Sequence, residues 1–192
     1  TLHGETKALD HISFGVKNGE FVAIVGPSGC GKSTLLSIIA GLIKPEEGTI
    51  AVNKPDGSLG YPKIGYMLQK DHLLDWRSVY QNMLLGLEIR KELTQENLDY
   101  VDELLEEYGL GAFRDKRPFE LSGGMKQRAA LIRTLALKPE LLLLDEPFSA
   151  LDYQTRLIVS ADICNLIRKS GKTVILITHD LGIVAEFCDE VA

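Results

Sequence analysis

A glycine-rich segment early in the chain combines the residue types that bind phosphate groups. The segment from Gly26 to Ser33 reads Gly-Pro-Ser-Gly-Cys-Gly-Lys-Ser. Glycines let backbone N–H groups wrap around a phosphate, and the start of a following helix adds positive potential. In this pattern Lys32 reaches the β- and γ-phosphates, and Ser33 ligates Mg²⁺. Because a predicted strand precedes the segment and a predicted helix follows it, the pattern indicates a phosphate-binding loop rather than an incidental turn.

Two carboxylates stand at the end of a second apolar run. Asp145 and Glu146 follow four consecutive leucines, residues 141–144, which predict a buried parallel strand. Ligands of parallel α/β sheets bind at the carboxyl ends of the strands. Asp145 is therefore a candidate to hold Mg²⁺ through its water shell, and Glu146 is a candidate to polarise an attacking water. The alternative, that both acids only cap the next segment, is disfavoured beside a phosphate loop.

A third segment, Ser122-Gly123-Gly124, opens a predicted helix. Serine is a good N-cap residue, and successive N–H groups of such a turn can form an anion-binding nest. The segment therefore predicts either a second phosphate contact or a capped helix after a flexible turn. Its position between the phosphate loop and the acidic strand end favours the first interpretation.

Alternating strands and helices position these segments. Continuous apolar runs predict buried strands, and apolar residues at three- and four-residue spacing predict helices. The predicted strands are Phe21–Val25, Thr49–Val52, Lys63–Met67, Leu141–Leu144 and Val174–Ile177, with a turn over residues 53–58. The predicted helices run from about Lys32 to Ala40, from Val79 to about Tyr108, from after Ser122 to about Leu137, from a cap at Asp152 to Ser170, and briefly after His179.

The order of these elements predicts an α/β fold in which a parallel sheet carries an inserted all-helical subdomain. Residues 1–71 and 138–192 form the predicted core, and residues 72–137 form the predicted helical subdomain of a single domain over 1–192. The chain starts without Met and stops at the approach to another predicted strand. We therefore expect a piece of a longer protein, truncated at both ends.

The composition is that of a globular protein without a strong attraction to nucleic acid. Hydrophobic residues make up 45% and charged residues 25% of the chain, and 21 Lys and Arg against 27 Asp and Glu give a net charge of −6. A nucleic-acid-binding protein would present a basic surface. The sequence contains no apolar run longer than five residues, no secretory-signal pattern, and three cysteines without disulfide or zinc spacing. We expect a cytoplasmic location.

Together, the three segments resemble the ATP-binding cassette (ABC) ATPases over nearly the whole chain. Gly26–Thr34 is similar to the Walker A loop of that family, Leu141–Glu146 to the Walker B strand, and Leu121–Gln127 to the signature sequence. The resemblance implies a P-loop NTPase (RecA-like) core, ATP as the nucleotide, Mg²⁺ as the metal, and ATP hydrolysis coupled to transport.

The resemblance also implies roles for three positions that the residues alone leave open. Gln69 matches the Q-loop glutamine that touches Mg²⁺ and the lytic water, Ser149–Asp152 is similar to the D-loop, and His179 resembles the switch histidine that contacts the γ-phosphate. Without the resemblance, Gln69 is a surface glutamine and a lone histidine is more often structural. The predicted catalytic residues are Glu146, His179 and Gln69; the predicted metal ligands are Ser33, Gln69 and Asp145; the predicted nucleotide-binding residues are Gly26, Pro27, Ser28, Gly29, Cys30, Gly31, Lys32, Ser33, Thr34, Ser122, Gly123, Gly124 and Asp152.

A head-to-tail dimer is a further implication of the resemblance. In this family the signature of one subunit closes over the ATP that the Walker loops of another subunit hold. Ser122, Gly123 and Gly124 are therefore predicted to act across an interface with a second copy or with a homologous ATPase subunit. The aromatic residue that stacks on adenine in this family is expected on a strand before residue 1 and stays unassigned.

Three functions are compatible with the resemblance. The first is an importer subunit, peripheral on the inner face of the cell membrane, that works with a separate permease and a solute-binding protein. The second is a soluble ABC ATPase acting on DNA or ribosomes, and the third is a regulatory module that barely hydrolyses ATP. The intact Glu146 disfavours the third. The net charge of −6, with neither a long coiled-coil insertion nor a second cassette, disfavours the second and any nucleic-acid partner.

The segment after Gln69 bears on the importer. Residues 70–82 correspond to the region that receives a helix of the membrane subunit in transporter ATPases, and Trp76 is there either an anchor for that helix or a core residue. Residues 73–79 resemble importers of nitrate, sulfonates and taurine, whereas residues 179–189 resemble peptide importers. Residues 114–120 lack the glycine-containing element of exporters, which favours import. The solute stays open.

Overall fold

The computed structural model describes residues 8–53 and 59–192, so most of the predicted turn over residues 53–58 lies outside the described residues. Within these ranges the strands are β1 Phe21–Ile24, β2 Val52–Asn53, β3 Leu59–Gly60, β4 Ile64–Met67, β5 Leu141–Asp145, β6 Thr173–Ile177 and β7 Glu190–Val191. The helices are α1 Lys32–Ile39, α2 Val79–Arg90, α3 Gln95–Glu107, α4 Gly123–Leu135, α5 Tyr153–Lys169 and α6 Leu181–Phe187. No helix in the described ranges is long and apolar enough to cross a lipid bilayer.

Five strands form one parallel sheet in the order β4-β5-β6-β1-β7. Leu141 of β5 lies opposite Ile64 of β4 and opposite Thr173 of β6, and Phe21 of β1 lies opposite Val174 of β6. The strands β2 and β3 form a separate antiparallel pair. The predicted α/β fold with a parallel sheet is confirmed, and the carboxyl ends of β1, β4, β5 and β6 therefore meet at one edge.

Helices cover both faces of the sheet, and alternate strand residues pack on opposite faces. One face packs against α1 and forms a cluster of Ile24, Leu143, Ile175 and Ile177 with Leu36 and Ile39 of that helix. The opposite face packs against the other helices in a larger cluster that includes Phe21, Leu142, Leu144, Val174 and Leu176. Because both faces are buried, the central strands read as continuous apolar runs rather than as alternating patterns.

The helical stretch predicted within Val79–Tyr108 consists of two helices. Lys91 follows α2 in a left-handed conformation with φ of 58°, which ends that helix. Thr94 then caps α3, because its hydroxyl accepts a hydrogen bond from the N–H of Asn97. The end of α2 lacks the usual sequence signals, since residues 91–94 contain neither glycine nor proline, and Thr94 is the one common capping residue among them.

The described residues between β4 and β5 contain helices and no strand. Helix α3 contributes Val101, Leu104 and Leu105 to the same apolar cluster that contains Leu142 and Leu144 of β5. This arrangement is compatible with a helical subdomain over residues 72–137. The exact division into core and subdomain stays a prediction.

Candidate active site

The phosphate-loop segment connects the end of β1 to the start of α1, as predicted. Gly29 and Gly31 have φ of 80° and 99°, in the region that residues with a side chain rarely adopt. A Cβ atom on Gly31 would also lie 2.5 Å from the carbonyl oxygen of Ala8. Gly31 is therefore required both by its backbone conformation and by the close approach of the preceding chain.

Lys32 turns its side chain back into this loop. The residue is buried, and its ammonium donates hydrogen bonds of 2.8 Å to the carbonyl oxygens of Gly26 and Pro27. The Sγ atom of Cys30 lies 3.8 Å from the same ammonium. A positive charge is thereby held on the inner side of a loop whose glycines expose backbone N–H groups, which is a suitable place for a phosphate.

Asp145 ends β5 and lies beside the phosphate loop. Its carboxylate is buried and accepts a hydrogen bond from the Ser33 hydroxyl at 3.1 Å on Oδ1. On Oδ2 it accepts a hydrogen bond from the Tyr66 hydroxyl at 3.3 Å. The structure thus brings together the two predicted metal ligands Ser33 and Asp145, and adds Tyr66, which the sequence analysis did not single out.

Tyr66 could have been found only from the strand order. It precedes the last residue of β4, which is the neighbour of β5 in the sheet, and its ring packs in the cluster between the sheet and α1. Burial is the main cause that raises the pKa of the Tyr66 hydroxyl, and the Asp145 carboxylate raises it further. At neutral pH this hydroxyl is therefore protonated and able to donate.

Glu146 and His179 form a pair at the same edge. His179 Nε2 lies 2.6 Å from Oε1 of Glu146. Glu146 has φ of 46°, a left-handed conformation that is uncommon for residues other than glycine and that clusters at functional sites. Its N–H donates to the Ile177 carbonyl at 3.0 Å, which ties the end of β5 to the end of β6. A cavity of about 470 Å³ lies beside the pair and is also lined by Ser149 and Arg156.

The glycines of the third segment have a packing role within the chain. The Ser122 hydroxyl accepts a hydrogen bond from the Met125 N–H at 3.3 Å and caps α4, as the second interpretation of the segment predicts. A Cβ atom on Gly123 would lie 2.9 Å from Leu151, and one on Gly124 would lie 2.6 Å from Val159 of α5. The role of these residues toward a partner's nucleotide stays a prediction.

Two further predicted residues lie near this edge without a contact to the pair in the described structure. Asp152 caps α5, with its carboxylate accepting the Thr155 N–H at 3.0 Å, and this bond is the main cause that lowers the pKa of Asp152. Gln69 is exposed two residues after β4 ends, and β4 ends beside β5. Their roles toward nucleotide and metal stay predictions.

Comparison with known proteins identifies the class. The family model for ABC transporters matches residues 9–149. The uncharacterised ABC transporter ATP-binding protein YtlC of Bacillus subtilis is 50% identical over 182 residues, covering 95% of this chain and 70% of that protein. The taurine import ATP-binding protein TauB of Jannaschia sp. is 42% identical, covering 93% of this chain and 66% of that protein. The sulfate/thiosulfate import ATP-binding protein CysA of Mycobacterium bovis is 42% identical, covering 99% of this chain and 55% of that protein.

Solved structures agree with this class. The protein cbiO1 of Clostridium perfringens, part of the ABC transporter complex cbiONQ, superposes with a TM-score of 0.82 at 32% identity, covering 96% of this chain and 76% of that chain. The dimeric ATP-binding cassette MJ0796, in a post-hydrolysis state with ADP and Pi, superposes with a TM-score of 0.75 at 34% identity. The match covers 96% of this chain and 84% of that chain. The chain belongs to the ABC transporter family. It is an ATP-binding ATPase of that family, a class that forms dimers, and the predicted P-loop NTPase core is confirmed.

Proposed function

We propose that this chain is the ATP-hydrolysing subunit of an importer, acting on the inner face of the cell membrane with a separate permease. The observation that carries the proposal is the single sheet edge that holds the phosphate loop, Asp145 and the Glu146–His179 pair. ATP is the substrate and Mg²⁺ the cofactor. The wider assembly follows from the surface around Trp76 and from the import proteins to which the chain is similar.

ATP binds through its phosphates on the Gly26–Ser33 loop. The Lys32 ammonium exchanges its two carbonyl acceptors for phosphate oxygens, so bonds with one charged partner are replaced by bonds in which both partners are charged. The N–H groups at the start of α1 donate to the same phosphates. The ammonium does not have to travel far, because it already lies inside the loop.

The oxygen atoms at this edge of the sheet are of the kinds that ligate Mg²⁺. Ser33 offers a hydroxyl oxygen and Asp145 a carboxylate, with Gln69 as a third proposed oxygen ligand on the neighbouring strand end. No group of three or more His, Cys, Asp or Glu in the described ranges is arranged to hold a metal ion by itself. Mg²⁺ is usually bound through one or two carboxylates together with substrate phosphates and waters. When bound, Mg²⁺ supplies positive charge that offsets the charge of the phosphates.

Hydrolysis uses Glu146 and His179. A water molecule held by the Glu146 carboxylate attacks the γ-phosphorus in line with the departing ADP oxygen, and its proton passes to that carboxylate as ADP and phosphate form. His179 holds the γ-phosphate through its ring and fixes the Glu146 carboxylate through the 2.6 Å contact. Positioning and electrostatics supply most of the rate in such sites.

The complete site needs a second subunit. Ser122 and Gly123 are exposed at the start of α4, where the helix N-terminus favours an anion. In a head-to-tail dimer, Ser122, Gly123 and Gly124 of one subunit meet the ATP held by its partner, and Asp152 lies in the adjoining loop. The dimeric cassette with bound ADP and Pi supports this arrangement.

Trp76 marks the proposed contact with the permease. Its side chain is 73% exposed, which rules out the interpretation that it is a core residue. Phe119 is 69% exposed in a short 3₁₀ helix, Pro118–Glu120, and Arg117 at the start of that helix donates a hydrogen bond to the Trp76 carbonyl. Arg77, which follows Trp76 in the chain, forms an ion pair of 2.6 Å with Glu88 of α2 and so holds the Trp76 segment against that helix. Exposed aromatic residues on a supported loop are typical anchors of protein interfaces.

Import is the proposed direction, with a solute-binding protein in the complex. TauB and CysA carry the names of import proteins, and both are similar to this chain over more than nine-tenths of its length. These names favour a transporter over a soluble ATPase that acts on DNA or ribosomes.

Affinity isolation of the full-length protein from solubilised membranes tests the assembly. We expect a multispanning permease to be recovered with the chain. A solute-binding protein should also be recovered when the permease keeps its periplasmic or surface partners during isolation. Recovery of ribosomes or DNA without a membrane subunit would overturn the importer and favour the soluble alternative.

A further inference from the structure

The carboxylate of Asp145 is held on both of its oxygen atoms, and the two contacts differ in kind. Oδ1 accepts from Ser33, which is itself a proposed metal ligand on α1. Oδ2 accepts from Tyr66, which lies on β4 and is not a proposed ligand. The Tyr66 hydroxyl is therefore a contact to Asp145 that does not depend on a residue that also has to bind the metal.

The position of Tyr66 is set by the sheet rather than by the nucleotide. Tyr66 lies opposite Leu143 in the parallel register of β4 and β5. Its ring packs in the cluster that includes Ile64, Leu141 and residues of α1. A donor fixed in this way can orient a carboxylate before any ligand arrives.

Removing the donor would leave Asp145 poorly held. Asp145 is only 8% exposed, so water would replace the lost partner with difficulty. A carboxylate with one oxygen unpartnered is free to rotate away from the orientation that a metal requires. Partners of metal ligands contribute about 10- to 100-fold to metal affinity in other proteins.

We propose that Tyr66 is a positioning residue that orients Asp145 for the divalent cation bound with the nucleotide. This inference rests on the proposed function, because it takes Asp145 and Ser33 as metal ligands. It assigns Tyr66 no contact with ATP and no part in the proton transfer.

The test measures Mn²⁺ binding by electron paramagnetic resonance, with the full-length protein and saturating ADP. We expect Tyr66→Phe to weaken Mn²⁺ affinity about tenfold. In the same preparation, ADP affinity measured in EDTA should stay within about twofold of the unmodified protein, since the phosphate loop is unchanged. Tyr100→Phe is the matched control, because it removes a hydroxyl from another half-buried tyrosine, on α3, and should leave both affinities unchanged.

Two results would overturn the inference while leaving the proposed function in place. One is an unchanged Mn²⁺ affinity in Tyr66→Phe. The other is an equal loss of ADP affinity in EDTA, which would make Tyr66 a residue of the fold alone. If the unmodified protein bound neither ADP nor Mn²⁺ with ADP, the proposed function would fail, and the role of Tyr66 would fail with it.

Discussion

At the scale of single residues, the site depends on groups that the fold holds ready at the end of a few strands. Lys32 is buried inside the loop on two carbonyl oxygens, and Asp145 is buried between two hydroxyl donors. Glu146 adopts a left-handed conformation that costs of the order of 1–3 kcal/mol and that the bond to Ile177 helps to maintain. These polar groups have hydrogen-bond partners before the nucleotide binds. Nucleotide binding therefore replaces hydrogen bonds within the protein by hydrogen bonds to the phosphates.

Replacement of Lys32 tests the phosphate loop. Lys32→Ala removes the ammonium that lies inside the loop, and a charge-assisted hydrogen bond contributes about 1.5–3 kcal/mol, so we expect ATP affinity to fall roughly 10- to 100-fold. Isothermal titration with ATP measures the effect. Lys169→Ala, at the exposed end of α5, is the control and should bind ATP normally. Unchanged ATP affinity in Lys32→Ala would remove this segment from nucleotide binding.

At the scale of elements, the start of α4 is held against α5 by glycines that leave no room for a side chain. A Cβ atom on Gly124 would lie 2.6 Å from Cγ2 of Val159. The same segment begins with the exposed Ser122 that is proposed to face a partner's nucleotide. Packing inside one subunit and the proposed contact between subunits therefore share the first turn of α4.

The packing can be tested separately from catalysis. Gly124→Ala should lower the free energy of unfolding by about 1–3 kcal/mol, because the added methyl group overlaps Val159. Urea unfolding measures this change. In the double variant Gly124→Ala with Val159→Ala, the smaller partner makes room, and the loss should be less than the sum of the two single losses. Strictly additive losses would contradict the steric explanation.

The sequence was sufficient to predict the elements that consist of continuous apolar runs. The strands around Val22, Leu143 and Ile175 are buried on both faces, so each is a continuous apolar run that can be recognised without knowing which strands lie beside it. The break between α2 and α3 was not visible, because Lys91 ends a helix in a conformation that lysine seldom adopts. The strand predicted over Thr49–Val52 occurs only as Val52–Asn53, a short segment paired with β3.

Within the candidate site, motif spacing singled out residues that the structure places at one sheet edge, but it did not reveal all of their contacts. Lys32, Asp145, Glu146 and His179 were singled out by their places at strand ends and in family motifs. The contact of Tyr66 with Asp145 joins residues that are 79 positions apart, and it exists only because β4 is the neighbour of β5. Local sequence carries no information on that pairing, so such contacts need the strand order.

At the scale of the whole molecule, the chain presents surfaces that a single subunit does not use. Trp76 and Phe119 are both exposed, on segments that Arg117 joins by a hydrogen bond, and Ser122 and Gly123 are exposed at the start of α4. The first surface is proposed to meet the permease and the second to meet another ATPase subunit. The assembly would thereby couple closure around ATP to movement of the membrane subunit.

ATP binding and the proposed attachment to a permease should be separable at Trp76. Trp76→Ala in the full-length protein should leave ATP binding intact and lower recovery of the permease in affinity isolation about tenfold or more, because buried tryptophan anchors often contribute 2 kcal/mol or more. Ile89→Ala is the matched control, since Ile89 is an equally exposed apolar residue on α2. Equal permease recovery with both variants would place the interface elsewhere.

The central claim is that this chain hydrolyses ATP at the edge where Glu146 meets His179. Steady-state ATP turnover of Glu146→Gln in the full-length protein tests it most directly, with ATP binding and sedimentation measured on the same sample and Glu186→Gln on α6 as the control. The account predicts unchanged ATP binding, accumulation of an ATP-bound dimer, and turnover reduced about 10²- to 10⁴-fold, the usual contribution of a general base. Turnover equal to that of the unmodified protein would contradict it.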